Sequence, residues 1–182
     1  MKALDKYLQN VRIQKAKKFI HKNDSVLDIG SVDGIMFERW KGYISRGVGV
    51  DPTLAEIIKG GFYELYPGYF PDACPKGEKF NAITLLAVLE HIPTNQQAQL
   101  AVDCYNYLLP GGRLIITVPS PQVDQILEIL LKLRLIEGMS LEEHYGYKPS
   151  DTEQIFAAPH FKLLHQGKFQ LGLNNIFVFE RL

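Results

Sequence analysis

Short apolar runs and helical stripes alternate along the chain, and the clearest pair lies near its start. Residues 26–29 form an apolar run interrupted by Asp28, as is typical of a parallel strand covered on both faces. Gly30 and Gly34 bracket the turn that follows, and the apolar residues from Ile35 onward predict a helix that packs on the sheet. Ligands of open α/β sheets bind outside the carboxyl ends of the strands. The turn is therefore the predicted floor of a binding site, and a plain strand-to-helix connection is the alternative interpretation.

The remaining pattern predicts strands and helices that alternate until two strands close the chain. In the first helix, the stripe of Leu4, Leu8, Val11 and Lys15, continued by Ala16, Phe19 and Ile20, is the predicted packing face. Thr94 is a predicted N-cap, and Ser150 with Glu153 has the spacing of a capping box. Helices are predicted over residues 4–20, 35–43, 54–59, 95–109, 123–136 and 150–157, and strands over residues 26–29, 47–51, 63–66, 80–86, 113–118, 161–166 and 173–180. This order predicts an α/β sheet with a late antiparallel element.

Length and charge narrow the classes of protein that fit this pattern. The 182 residues carry no formal net charge, which suits one domain with a sizeable core and argues against a dedicated nucleic-acid binder. No apolar run is long enough to cross a membrane, and the N-terminus lacks the apolar core of a secretory signal. Cys74 and Cys104 are the only cysteines, so we expect reduced thiols in a cytoplasmic protein and no metal site. The expected organisation is one domain over residues 1–182, with an N-terminal helix at 1–22 and a core at 23–182.

An acidic residue ends the second predicted strand. Asp51 follows the apolar residues 47–50 and lies roughly 20 residues beyond the glycine turn, where dinucleotide-type folds place a carboxylate that accepts hydrogen bonds from ribose hydroxyls. The Asp51-Pro52 pair is also a common way to end a strand and begin a turn, which is the alternative interpretation.

Four segments in this order resemble the class I S-adenosylmethionine-dependent methyltransferases. The first motif of that family usually reads Leu-Asp-Ile-Gly-Cys-Gly-x-Gly, and residues 27–34 read Leu-Asp-Ile-Gly-Ser-Val-Asp-Gly. Asp51 matches the acid after the second strand, residues 80–92 resemble the fourth-strand segment, and residues 108–114 resemble the turn into the fifth strand. His144-Tyr145 and the following helix resemble the late segment of the family.

Two positions depart from the family pattern. Val32 replaces the middle glycine of the first motif, and Asn81 replaces the usual aspartate after Phe80. A branched side chain does not easily take a positive φ. Either the turn uses an ordinary φ at Val32, or cofactor binding is weakened.

The resemblance implies a Rossmann-like three-layer sandwich, with a mostly parallel seven-stranded sheet that ends in an antiparallel strand pair. It implies S-adenosyl-L-methionine as cofactor and methyl transfer as the activity. Such an in-line displacement needs positioning and exclusion of water more than a nucleophilic side chain or a metal. The cofactor-binding residues that the resemblance implies are Asp28, Gly30, Ser31, Val32 and Gly34 in the first motif, Asp51 and Pro52 at the ribose, Tyr69 or Phe70 beside the adenine, and Leu86 and Ala87 near the transferred methyl.

Two histidines are candidates for a general base. His91 follows Glu90, and because adjacent helical residues point in different directions, the two side chains do not face one substrate atom. A structural role is the alternative for His91. His144 precedes a Tyr-Gly-Tyr loop where relatives often place acceptor contacts, and an exposed loop histidine is the alternative there.

Two rival functions follow from the same residues. An NAD-dependent oxidoreductase needs Gly-x-Gly-x-x-Gly, but the frame that starts at Gly30 has Val32 and Ile35 at the other glycine positions. A methyltransferase-like interaction module without catalysis is the other rival, motivated by Val32 and by the apolar helix at 123–136. That helix is expected in the core, over a site or against a partner chain, which leaves a homodimer open. The expected acceptor is a small molecule, with no nucleic-acid or membrane partner.

Overall fold

The chain folds into a mixed sheet with helices on both faces. The computed structural model describes residues 3–120, 147–157 and 159–182. In chain order the elements are α1 (Ala3–Lys17), β1 (Ser25–Ile29), α2 (Ile35–Arg39), β2 (Arg46–Asp51), β3 (Ile58–Lys59), β4 (Tyr63–Pro67), β5 (Phe80–Leu86), a 3-10 turn (Leu89–His91), α3 (Thr94–Tyr107), β6 (Leu108–Pro119), α4 (Asp151–Ile155), β7 (Phe161–Phe169) and β8 (Asn174–Arg181).

The strand order identifies the topology. The sheet has eight strands in the order β3-β4-β2-β1-β5-β6-β8-β7, and β4, β2, β1, β5 and β6 are parallel. Strand β8 lies between β6 and β7 and runs antiparallel to both. The predicted fold class is confirmed, and the eighth strand is the two-residue edge strand β3, which is antiparallel to β4. The order reverses at β1, so the carboxyl ends of β1 and β5 form the switch point where open α/β sheets bind ligands.

Strand β1 lies in the interior of the sheet, between the parallel strands β2 and β5. Leu27 pairs with Val48 of β2 on one side and Ile83 of β5 on the other, and all three side chains are fully buried. Burial on both faces explains why the sequence is a continuous apolar run here and not an alternating one.

Two apolar clusters cover the two faces of the sheet. One contains Ile83 together with Leu100 of α3 and Phe156, which follows α4. The other contains Val26 together with Ile13 of α1 and Phe37 of α2. The sheet is therefore the middle layer of three, as expected from the resemblance.

The packing face of α1 agrees with only part of the predicted stripe. Ala16 and Ile20 of that stripe are buried, whereas Leu8 and Val11 are only half-buried. Ile13, which the prediction left out, is buried as well.

The helix predicted over residues 54–59 is wrong. A turn after Asp51 leads instead into β3, where Ile58 pairs with Leu65 and Lys59 with Glu64. The ammonium of Lys59 lies 3.7 Å from the carboxylate of Glu64. The backbone of this short segment takes its partners from β4, and this tertiary pairing overrides the local pattern.

Several predicted element ends are shifted. The helix at 35–43 ends at Arg39, and α3 ends at Tyr107 because β6 already begins at Leu108. Neither predicted cap forms a side-chain capping hydrogen bond to the helix backbone: the N-cap of α3 is Pro93 and not Thr94, and Ser150 caps α4 by position alone. The helix predicted over residues 123–136 lies outside the described residues.

Two further features bear on the class of protein. None of the helices within residues 3–120, 147–157 and 159–182 has the length and apolarity to span a membrane. Cys74 and Cys104 are both free and buried.

Gly47 of β2 lies directly against Phe37 of α2, so a side chain added at this position should destabilise the fold. A Cβ added at Gly47 would lie 2.4 Å from Cδ1 of Phe37, whose side chain is fully buried. Gly47→Ala should therefore lower the free energy of unfolding by about 1–3 kcal/mol through overpacking, as measured by chemical denaturation. Phe37→Leu in the same chain should recover part of this loss, so the double variant should be more stable than the sum of the single effects predicts. Full stability of Gly47→Ala would show that α2 is free to shift away from the strand.

Candidate functional site

The turn after β1 crosses over the end of β2. The backbone N–H groups of Gly30 and Ser31 both donate to the carbonyl oxygen of Val50, at 2.9 and 3.2 Å. Gly30 has a φ of +87°, and a Cβ at this position would lie 2.4 Å from Cγ2 of Val88. Only glycine combines this φ with so close an approach, so the backbone of the turn is held against both neighbouring strands.

Asp28 is a buried carboxyl group at the carboxyl end of β1. It pairs in register with Thr84 of β5, whose hydroxyl donates to Asp28 Oδ1 at 2.6 Å. Desolvation by burial raises the pKa of Asp28 to about 7, and repulsion from Asp33 and Asp51 adds to this, while hydrogen bonds from Thr84 and Ser31 act in the opposite direction. A group that changes charge near neutral pH at the switch point is typical of a functional site.

Asp51 ends β2 beside this turn. It is 6% exposed, and its Oδ1 accepts hydrogen bonds from both the backbone N–H and the hydroxyl of Thr53. The carbonyl oxygen of Asp51 accepts the N–H of Gly68 at 3.1 Å. The acid is therefore part of a turn as well as a strand-end carboxylate, and Pro52 lies exposed in the same turn.

The start of α2 resolves the question raised by Val32. Among the described residues, the non-glycine residues with positive φ are Asn23, Ala87, Gln170 and Leu171, so Val32 has an ordinary negative φ. Its side chain is 56% exposed. Gly34 takes the left-handed conformation as N-cap of α2, with a φ of 64°, and Asp33 Oδ1 accepts the N–H of Ile35 at 3.1 Å. The turn therefore accommodates the valine without backbone strain.

A cleft opens between this turn and α1. The described residues that line it from the sheet side are Asp28, Gly30, Ser31, Val32, Asp33 and Leu86, and those from the helices are Gln9, Arg12, Ile13, Ile35 and Met36. Polar groups and apolar side chains share its walls, as in most small-molecule sites. The contribution of α1 was missed from the sequence, where neither Gln9 nor Arg12 was assigned to the site.

The end of β5 carries a strained residue. Ala87 has a φ of 62°, and its N–H donates to the carbonyl oxygen of Thr117 at 2.9 Å. A non-glycine residue in this region costs on the order of 1–3 kcal/mol and persists only where its surroundings hold it. Ala87 directly follows Leu86 of the cleft wall, so the strain lies at the predicted methyl-transfer end.

Tyr69 and Phe70 follow β4 on the far side of Asp51. Tyr69 is 75% exposed, whereas Phe70 is half-buried and packs edge-on against Tyr107 of α3 with ring centroids 5.1 Å apart. The two side chains therefore differ in kind: one is free to meet a ligand, and the other is part of the core.

The histidine candidates occupy different positions. Glu90 is 1% exposed and His91 is half-buried on the adjacent position of the 3-10 turn, so their environments differ as expected for neighbouring residues. His144 lies outside the described residues. In the part of the chain that the structure describes, no three His, Cys, Asp or Glu side chains gather as a metal-binding group would.

The predicted site residues divide into two groups. Asp28, Gly30, Ser31, Val32 and Leu86 lie together in the walls of the cleft. The second group follows the carboxyl edge outside those walls and consists of Gly34, Asp51, Pro52, Tyr69, Phe70 and Ala87.

Comparison with known proteins agrees with this geometry. Residues 4–166 match the family described as a methyltransferase domain. No curated protein matches the chain by sequence.

Solved structures share the fold at low sequence identity. The N-methyltransferase NodS from Bradyrhizobium japonicum WM9 is 12% identical with a TM-score of 0.63, covering 97% of this chain and 94% of that one. Magnesium protoporphyrin IX methyltransferase (ChlM) from Synechocystis PCC 6803, solved with bound S-adenosylhomocysteine, is 18% identical with a TM-score of 0.64, covering 97% and 83%. The PH0226 protein from Pyrococcus horikoshii OT3 is 15% identical with a TM-score of 0.67, covering 97% and 91%. Because the family match spans most of the sequence and the fold agrees with it, the chain belongs to the methyltransferase domain family.

Proposed function

We propose that this protein methylates a small-molecule acceptor at the carboxyl edge of its sheet, with the donor beside β1, β2 and β5. The observation that carries the proposal is the buried carboxyl group of Asp28 in a cleft that is also lined by apolar side chains such as Ile13 and Met36. The absence of net charge in the sequence supports a small acceptor over a nucleic acid. The proposal includes a single domain over residues 1–182 that acts in the cytoplasm.

The described residues fit the amino-acid end of S-adenosylmethionine. Gly30 lacks the side chain that would fill the space against Val88, and Gln9 Oε1 is buried with no hydrogen-bond partner among the described residues. Asp28 and Gln9 Oε1 are acceptors that suit the ammonium group of such a ligand, and Ser31 lies in the same wall. Val32 and Gly34 contribute through the backbone of the turn.

The part of the carboxyl edge formed by Asp51 and the segment after β4 suits the nucleoside of the donor. The hydrogen bonds from Thr53 fall on Oδ1 of Asp51, and a carboxylate offers further acceptor sites on its other oxygen for ribose hydroxyls. The N–H of Gly68 ties the following segment to the carbonyl of Asp51, which brings exposed Tyr69 to the same edge as a partner for the adenine. Phe70 supports this segment from the core, and Pro52 borders the ribose.

The chemistry needs little from protein side chains. S-adenosylmethionine supplies an electrophilic methyl group on a sulfonium when it is bound. Leu86 and the strained backbone at Ala87 form the apolar end of the site and exclude water there. His91 and His144 remain candidates to accept the proton that an acceptor loses on methylation.

The rival function is an interaction module that has lost the donor site. Its motivations from the sequence were the branched residue Val32 and the apolar helix predicted at 123–136. The ordinary φ of Val32 removes the objection from backbone strain, and the helix lies outside the described residues. Calorimetry with S-adenosylhomocysteine separates the two functions, because an interaction module should show no heat.

The first prediction concerns donor binding and Asp51. S-adenosylhomocysteine should raise the melting temperature of the chain. At a hundredfold excess over its dissociation constant, the ligand should add roughly 2.7 kcal/mol to the free energy of unfolding. Asp51→Ala should weaken this binding by roughly 10- to 1000-fold, since charge-assisted hydrogen bonds to the ribose are lost, and Asp51→Asn should fall between. Titration calorimetry on the three proteins measures the affinities, and melting curves with and without ligand measure the added stability.

A matched control separates binding from folding at Asp51. Asp51→Ala also removes the turn bonds to Thr53, so its ligand-free stability should fall by about 1 kcal/mol. Thr53→Val removes the hydroxyl bond alone and should keep donor affinity within a few-fold. If Asp51→Ala binds as tightly as the unmodified chain, the ribose assignment is wrong.

The second prediction concerns pH. The pKa of Asp28 is raised to about 7 in the folded chain from its ordinary 3.8, so between these values the unfolded state releases a proton that the folded state keeps. This contribution should therefore lower stability as pH rises from about 4 to about 7 and stay constant above, by on the order of 4 kcal/mol in all. Asp28→Asn should remove that slope from denaturation curves, while Asp33→Asn, at an exposed position, should keep it. The ammonium group of the ligand favours the ionised carboxylate of Asp28, so affinity for S-adenosylhomocysteine should rise from pH 6 to pH 8.

The third prediction concerns Val32→Gly. Because Val32 already has an ordinary φ, glycine should relieve no strain, and donor affinity should stay unchanged or fall as the turn gains freedom in the unbound state. Tighter binding in calorimetry would show that the side chain crowds the ligand.

A further inference from the structure

We propose that the tip of the β7–β8 hairpin docks this protein on an anionic lipid surface, with Leu171 as the side chain that enters the bilayer. The tip is the connection over residues 170–173, between Phe169 at the end of β7 and Asn174 at the start of β8. Because Asn174 lies opposite Pro119 at the end of β6, the tip lies at the carboxyl edge of the sheet.

This inference goes beyond the proposed function and does not depend on it. The sequence predicted no membrane partner, since no apolar run is long enough to cross a bilayer. Docking on a lipid surface requires no such run, because exposed apolar side chains next to cationic ones are sufficient for it. The hairpin tip and the start of α1 bring such side chains together.

The fold itself does not account for a leucine at the tip. Gln170, Leu171 and Gly172 have φ values of 51°, 57° and 87°, so three consecutive residues occupy the left-handed region. Glycine and asparagine suit such positions, whereas leucine is strained there. The side chain of Leu171 is 102% exposed, so burial within the fold does not offset this strain. Contact with a surface outside the chain would supply the burial that the side chain lacks.

A second exposed apolar side chain lies beside the tip. Gln170 Nε2 donates to the carbonyl oxygen of Leu8 at 3.4 Å, which brings the tip against the first turns of α1. Tyr7, next to Leu8 in the same helix, is 61% exposed. A tyrosine combines an apolar ring with a hydroxyl, and such side chains are favoured at the boundary between lipid and water.

A third exposed apolar side chain lies in the turn after β1. Gln9 Nε2 donates to Asp33 Oδ2 at 3.2 Å, and Val32, next to Asp33, is 56% exposed. The two hydrogen bonds to the tip and to this turn start from consecutive residues of α1, so Leu171, Tyr7 and Val32 surround one helical turn. A group of exposed apolar side chains, unlike a single one, marks an interaction surface.

The tip is held in place before any surface is reached. The hydroxyl of Ser120 donates to the carbonyl oxygen of Gly172 at 2.6 Å and accepts from Asn175 Nδ2 at 2.9 Å. The N–H of Ser120 donates to the carbonyl oxygen of Leu173 at 2.8 Å. Leu171 is therefore presented by an ordered turn, and little backbone freedom remains to be lost when it docks.

Lysines on either side of the tip select an anionic lipid as the occupant. Lys168 near the end of β7 and Lys6 beside Tyr7 are both exposed. The ammonium of Lys15 lies 5.9 Å from the ring centroid of Phe169, the residue that precedes the tip. Anionic headgroups attract lysines near the surface, and the acyl region beneath them accepts an apolar side chain. An apolar tip flanked by cations matches both layers.

The test is co-sedimentation of the full chain with lipid vesicles of two compositions. One set contains phosphatidylcholine alone, and the other contains equal parts of phosphatidylcholine and the anionic phosphatidylglycerol. Leu171→Asn is compared with Leu182→Asn, which changes a leucine that is 56% exposed just beyond β8, at the opposite edge of the sheet. Lys168→Gln is compared with Lys41→Gln, at an exposed position beyond the end of α2. Melting curves and titrations with S-adenosylhomocysteine are measured on each protein without vesicles.

A loss of vesicle binding confined to the tip variants supports the proposal. The unmodified chain should sediment with the anionic vesicles and much less with the neutral ones. Leu171→Asn should weaken this partition by about 10- to 100-fold, because one leucine side chain no longer enters the bilayer. Lys168→Gln should weaken it by about fivefold. Leu182→Asn and Lys41→Gln should sediment as the unmodified chain does.

Folding and donor binding separate docking from a structural role of the tip. Asparagine suits the left-handed region, so Leu171→Asn should melt no lower than the unmodified chain. Its affinity for S-adenosylhomocysteine should stay within twofold of that of the unmodified chain. A lower melting temperature together with weaker vesicle binding would show that Leu171 supports the fold, and would overturn the docking role.

Three other outcomes would refute the proposal. The first is that the unmodified chain does not sediment with anionic vesicles, or sediments equally with neutral ones. The second is that Leu171→Asn still binds, or that Leu182→Asn loses binding to the same extent. The third comes from sedimentation equilibrium without vesicles: a dimer that Leu171→Asn dissociates would assign the tip to a second copy of the chain. The titrations with S-adenosylhomocysteine test the proposed function separately from all three.

Discussion

A carboxyl group buried at the end of the central strand is the constraint on which the candidate site depends. Asp28 is 7% exposed between strands, and the hydroxyl of Thr84 is within hydrogen-bond distance of it only because β1 and β5 pair in the parallel register. An ionised carboxylate in this position is costly unless it is paired. Burial therefore favours the neutral form of Asp28 and raises its pKa, and the hydrogen bonds in the ligand-free chain offset this only in part. The nearby backbone turn and the polar side chains of α1 line the cleft around this carboxyl group.

The central part of the fold was accessible from the sequence because it is built from local signals. Residues 26–29 and 80–86 are short apolar runs bounded by turns. Their length and the turns that flank them favour buried parallel strands over helices. The tight turn at Gly30 was likewise predictable from the glycine itself. In the structure, the positive φ of Gly30 and its contact with Val88 leave no room for a side chain. These features are set by sterics over a few residues, and a short window of sequence contains them.

The features that were not predicted from the sequence depend on contacts between distant parts of the chain. Strand β3 exists because its backbone pairs with β4, and no property of residues 54–59 alone favours that over a helix. Gln9 and Arg12 line the cleft from α1, and the sequence analysis did not assign them to the site. The side of a helix that faces the sheet depends on the surface that the helix meets, some of which lies more than 150 residues away at Gln170. The 3-4 spacing of Ile13, Ala16 and Ile20 is the sequence signal that would have added Ile13 to the predicted stripe.

The position of β8 has a consequence for how this chain is made. Residues 174–181 lie between β6 and β7, so the last strand of the sheet to be translated is an interior one. Until the ribosome has released this segment, β6 presents an open edge with buried apolar residues such as Ile115 and Ile116, and β7 has no hydrogen-bonded neighbour. Open edges of this kind invite pairing with other chains. Before β8 has formed, nascent chains are therefore open to pairing with one another, and a stop codon ahead of residue 174 would leave a product with two unprotected strands.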